Sequence, residues 1–126
     1  MAKLPRLLIL EKAGIISKGR GKDHGPLYRS FGGIAAMWSA YLSAVHYART
    51  GDYREFALNR RDVAQMLIHL KQMRAEFGNE CEPDNYVDIA GYAAIAGELS
   101  GVYLEEDVKD GENINDGKGF RGEVVR

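Results

Sequence analysis

From Val63 to Phe77 the apolar residues fall at Val63, Met66, Leu67, Leu70, Met73 and Phe77, all on one stripe of a 3.6-residue helix. A strand would need alternation instead, and a loop would show no period. The ends are marked as well. Asn59 is placed to cap, Asp62 suits a first turn, and Gly78 can take the left-handed stop. Upstream, Phe31, Ile34, Ala35, Trp38, Tyr41, Leu42 and Val45 predict another long helix between Leu27 and Arg49. A third is expected from about Asp84 to Val102, with Pro83 near its first position. Its Ala90, Gly91, Ala93, Ala94, Ala96 and Gly97 would let a neighbouring backbone come close. A helical glycine costs about 0.5–1 kcal/mol, so Gly91 and Gly97 call for a packing reason.

Pro5–Ile16 is a shorter amphipathic candidate, and Thr50–Asn59 reads as a linker with room for one short turn. No strand alternation and no internal repeat stand out. The expected fold is all-α, a helical bundle of three to four main helices with a disordered or extended C-terminal tail. A length of 126 residues is one domain's worth. Residues 1–102 are expected to form a single helical domain. Residues 103–126 are expected to form an acidic, glycine-rich, flexible tail, with seven acidic against four basic residues and little to bury.

A formal charge of −1 raises no global field toward nucleic acid or membrane. The apolar run Leu7–Leu10 is closed by Glu11 and Lys12, too short for a signal or a membrane span. One cysteine, Cys81, excludes an internal disulfide and suits a reducing compartment. The expectation is a cytoplasmic protein.

Chemistry concentrates in Asp84-Asn85-Tyr86-Val87-Asp88-Ile89-Ala90-Gly91-Tyr92. Asp84 and Asp88 are four apart, so their carboxylates leave one helix face on successive turns and would repel unless a cation lies between them. As a first-turn acid Asp84 is also explained by the helix dipole, whereas Asp88 sits one turn deeper. On the preceding helix Lys71 and Arg74 share a face. They would either pair with Asp88 and Asp84 across an antiparallel hairpin or hold phosphate oxygens, the arginine as a fork and the lysine as a point charge. A polar line through Asp62, Gln65, His69, Gln72 and Glu76 reads as a solvated face, since His69 has no second histidine at helical spacing. The glycine-rich Lys18–Gly25 segment offers cations and backbone N–H groups but lacks the spacing of a P-loop. His46 is expected to be a packed or interface histidine, and Cys81 has no catalytic partner suggested by the sequence.

Three stretches together resemble a family of small phage and prophage helical proteins. They are His24-Gly25 through Phe31-Gly-Gly-Ile-Ala-Ala-Met-Trp-Ser-Ala-Tyr-Leu42, then Asp62 to Arg74, then Asp84 to Ala94 with its Asp-Ile-Ala-Gly-Tyr core. His24 and Ser30 stand where that family reads Tyr and Asn. The layout is also similar to the all-α nucleoside triphosphate pyrophosphohydrolases of the MazG and dUTPase-like kind. In those, four carboxylates on two helices hold Mg²⁺ against the triphosphate, and the divalent ion neutralises phosphate and activates a water. Carried across, the resemblance matches Asp88 to the last acid of the second motif and Asn85 to its glutamate. It sets Lys71 and Arg74 near the first motif's acids.

The resemblance thus implies Asp88 as the catalytic group and Asp84 with Asp88 as contacts for Mg²⁺ or Mn²⁺. It implies Lys71, Arg74, Asn85, Tyr92 and His24 as ligand-binding residues. The expected function is phage-type nucleotide handling, by binding or hydrolysing a (deoxy)nucleoside triphosphate. The alternative is a non-enzymatic phage accessory protein that binds a host protein. Self-association into a homodimer or larger homo-oligomer is expected in either case, with the host cytoplasm as the place of action.

Overall fold

The computed structural model describes residues 2–19, 26–102, 104 and 105. Four helices account for its regular structure: α1 (Pro5–Gly19), α2 (Leu27–Thr50), α3 (Arg60–Phe77) and α4 (Pro83–Leu99). No strand occurs among the described residues, so the all-α bundle expected from periodicity is what forms. The tail expected at 103–126, apart from Leu104 and Glu105, lies outside the described residues, as does the Arg20–Gly25 part of the glycine-rich segment.

Local chemistry sets the helix ends. Asn59 Oδ1 accepts from the Asp62 amide at 2.9 Å while Asp62 Oδ2 accepts from the Asn59 amide at 2.9 Å. This reciprocal capping satisfies two of the donors a helix start leaves without partners. Pro83 opens α4, where a missing N–H costs nothing. The left-handed stop occurs at Gly51 (φ 72°), which ends α2, and not at Gly78, where φ is −114°. Gly78 is constrained by crowding instead: a Cβ there would lie 2.8 Å from the Arg74 carbonyl oxygen.

The helices pack in a row, α1 on α4, α4 on α3, and α3 on the first half of α2. Phe31, Ala35, Val63, Ala64, Ile95 and Ala96 form the buried centre, with Leu27, Ile34, Trp38, Leu67, Tyr92 and Leu99 packed around it. Among the described residues alanine supplies five of the nine that are buried and apolar, Ala13, Ala35, Ala64, Ala75 and Ala96. Close helix contact, more than large side chains, therefore makes this core. Gly91 is buried toward α1, but a Cβ there would sit at ordinary contact distance, 3.7 Å from Ser17 Oγ, so space alone does not require glycine. Gly97 has no such neighbour within 4 Å among the described residues.

Two expectations change. The α3 stripe is a true period, but the face turned to α4 carries Ala64, Lys71 and Ala75. Met66, Leu70, Met73 and Phe77 stay exposed. Small residues won the interface because they allow the two backbones to approach. The 51–59 linker forms no helical turn. It runs back along α2, held where the Phe56 and Leu58 amides donate to Ser43 Oγ (2.9 Å) and Ser39 Oγ (2.8 Å). Each serine also donates to a carbonyl one turn back, Ser39 to Ala35 at 2.6 Å and Ser43 to Ser39 at 2.8 Å.

That path returns the chain to the start of α2. There Arg60 Nε donates to the Tyr28 carbonyl at 2.7 Å, and its guanidinium lies 3.6 Å over the Tyr28 ring. Gly32 leaves the room for it, since a Cβ would come 2.7 Å from Arg60 Nη2. His46 is packed as expected, edge-on to Phe56 with ring centroids 5.4 Å apart. No described helix is long and apolar enough to cross a membrane.

Candidate functional site

The short 78–82 turn reverses the chain, so α3 and α4 lie antiparallel. Lys71 Nζ meets Asp88 Oδ2 at 2.7 Å, with the two side chains 16% and 24% exposed. At that depth the charges are largely withdrawn from water and lean on each other. The pair fixes the register. Arg74 comes level with Asn85, and Leu67 comes level with Tyr92.

Asn85 is 8% exposed, and its side chain makes no hydrogen bond among the described residues. Its polar atoms are not wholly closed off from solvent; the fully enclosed side-chain atom without a partner among the described residues is His46 Nε2 of α2. Tyr92, about two turns further along α4, is partly buried against the core. Arg74 is exposed in the last turn of α3, where a cation also suits the helix dipole, and it makes no ion pair among the described residues.

Of the expected cross-hairpin pairs, Lys71–Asp88 forms. Asp84 is turned elsewhere, toward Lys12 of α1 at 3.8 Å, with both side chains largely exposed. Asp84 and Asp88 therefore lie one turn apart with different cations beside them. No group of three or more His, Cys, Asp or Glu side chains placed to hold a metal ion occurs among the described residues. His24 lies outside the described residues. Hydrogen bonds explain two features near Asp84: Glu82 Oε1 accepts from the Asp84 amide at 3.3 Å, and the Tyr86 hydroxyl donates to the Glu80 carbonyl at 2.6 Å.

A separate concavity of about 470 Å³ lies on the other side of α4. Pro5, Leu8, Ile9 and Lys12 of α1 line it with Cys81, Pro83, Tyr86 and Val87, and α3 contributes nothing. Its walls are apolar, so it is unrelated to the charged hairpin. Sequence reasoning missed it because it needs α1 docked on α4. The one available signal was the run of leucines in a helix otherwise rich in charge.

What the hairpin can do follows from its groups. An ammonium held by a single carboxylate keeps N–H directions for another acceptor. A guanidinium fork one turn away suits paired oxygens. Lys71 and Arg74 are thus donors near the turn end of the hairpin, and Asn85 offers both donors and an acceptor.

Neither the curated proteins nor the solved structures include a match to this chain. One family does match, over residues 8–100 and hence across all four helices: the chain belongs to the family described as a domain of unknown function, DUF6378.

Proposed function

We propose that the chain is a phage-type nucleotide-handling protein that seats the phosphates of a ribo- or deoxynucleoside triphosphate on the α3–α4 hairpin. The observation that carries the reading is the half-sheltered Lys71–Asp88 pair beside a buried Asn85 with no side-chain hydrogen bond among the described residues. Lys71 and Arg74 meet phosphate oxygens, Asn85 reads a polar edge of the ligand, and Tyr92 and His24 complete the set by resemblance to the small phage and prophage helical proteins. With fewer carboxylates than that layout has, the cations on the protein supply much of the charge neutralisation.

Asp84 and Asp88 are the carboxylates that would meet a Mg²⁺ or Mn²⁺ brought in on the phosphates, since Mg²⁺ is commonly held by one or two carboxylates plus substrate oxygens. In a pyrophosphohydrolase of this layout Asp88 would be the catalytic carboxylate, and pyrophosphate the released product.

The test is a thermal-shift panel of ribo- and deoxynucleotides, each with and without Mg²⁺ or Mn²⁺. Ligand at about 100 times its Kd adds about 2.7 kcal/mol. In a domain this size that moves the midpoint by several degrees. Asp88→Ala should lose the shift while keeping the helical circular dichroism spectrum. A flat panel for the unaltered protein removes the reading.

A second reading, a non-enzymatic phage accessory protein docking on a host protein, is favoured by the exposed Leu7, Leu10 and Ile15 of α1. Leu10→Glu would then abolish capture of one defined host partner and leave any nucleotide shift intact. Capture unchanged by that substitution would count against α1 as the docking face.

A further inference from the structure

Met66, Leu70, Met73 and Phe77 follow steps of four, three and four, which is the seam of a heptad with Leu70 and Phe77 at a and Met66 and Met73 at d. They are 37%, 44%, 50% and 87% exposed. The seam lies roughly opposite the face that α3 turns to α4, because Ala64, Lys71 and Ala75 fall about half a helical turn away from it. A seam of four large apolar residues on one side of a helix is the pattern by which one helix packs on another, and within the described chain nothing covers it.

We propose that this seam is the interface between two copies of the chain, α3 lying antiparallel on α3 of the second copy about a two-fold axis near residues 71 and 72. The flanking residues choose both the partner and the direction. His69 and Glu76 occupy the g positions and Arg74 an e position. In an antiparallel pair g faces g, so Glu76 of each copy meets the other copy's His69, and this favourable contact forms twice. A parallel pair would bring His69 against Arg74, a donor against a cation. A pattern complementary to itself under a two-fold rotation needs only a second copy.

The whole chain's charge of −1 sets up no repulsion against this. The alanine-rich core leaves much of the chain's large apolar surface outside, and the interface withdraws the part on α3 from water. The seam is separate from the Lys71–Asp88 pair, so the proposal stands whether or not the hairpin binds a nucleotide.

The test is the mass in solution of the full chain, by sedimentation equilibrium across a concentration series. Unaltered protein should approach twice 14.0 kDa. Leu70→Glu and, separately, Met73→Glu should each return it to 14.0 kDa with the helical spectrum retained, since both positions are exposed in the single chain. Leu10→Glu on α1 should leave the mass doubled. His69→Glu should weaken association at least several-fold, and adding Glu76→Lys should restore it, because each copy's exchanged charges then face each other. Unaltered protein that stays at 14.0 kDa, or a doubled mass that survives Leu70→Glu and Met73→Glu, overturns the interface. A charge exchange that fails to rescue overturns the antiparallel direction.

Discussion

Asp88 shows how much one side chain can be asked to do. Its carboxylate is the partner of a Lys71 ammonium that is 16% exposed. Asp88→Ala should therefore cost stability as well as any ligand effect, by about 1–3 kcal/mol, between the values typical of exposed and fully buried pairs. Chemical denaturation of the apoprotein checks this. The double variant Lys71→Met/Asp88→Ala should recover part of the loss, because it removes the stranded charge along with its partner. Full additivity of the two single variants would mean that the pair contributes nothing. Gly51 is a second sensitive residue. At φ 72° it occupies backbone space that a side chain rarely enters, so Gly51→Ala should lower stability by about 1 kcal/mol in the same measurement. The pairing of Lys71 with Asp88 was legible in the sequence, since both sat at helical spacing on adjacent helices of opposite charge. The turn of Asp84 toward Lys12 was not, because it depends on where α1 docks.

At the level of helices, the ends were more readable than the faces. The Asn59–Asp62 capping box is a local arrangement that four residues specify among themselves. Asn59→Ala should cost about 1 kcal/mol of stability, with thermal unfolding as the readout. The core face of α3 is another matter. Periodicity locates an apolar stripe but does not say whether large or small side chains will meet the next helix. On α4 the run of Ala and Gly invites close approach, and α3 answers with Ala64 and Ala75. Nor does any period reveal the strap along α2, whose register is set by two serine hydroxyls accepting from Phe56 and Leu58. Ser39→Ala should free the Leu58 amide and lower stability by about 1 kcal/mol. Hydrogen exchange would locate the change at the strap, and protection unchanged there would show that the serine does not hold it.

For the whole molecule, the row of helices does not follow the order of the chain. The principal neighbour of α1 is α4, the last of the described helices along the chain. Residues 20–82 must be synthesised between them, which at about 5–20 residues per second takes roughly 3–13 s. Through that interval a leucine-rich segment has left the ribosome with its docking site still unbuilt. Arrested nascent chains should therefore show α1 open to protease until α4 has cleared the exit tunnel, and closed soon afterwards. The arrangement that gives α4 two neighbours thus leaves the covered side of α1, at Ile9 and Ala13, without its partner until late in synthesis.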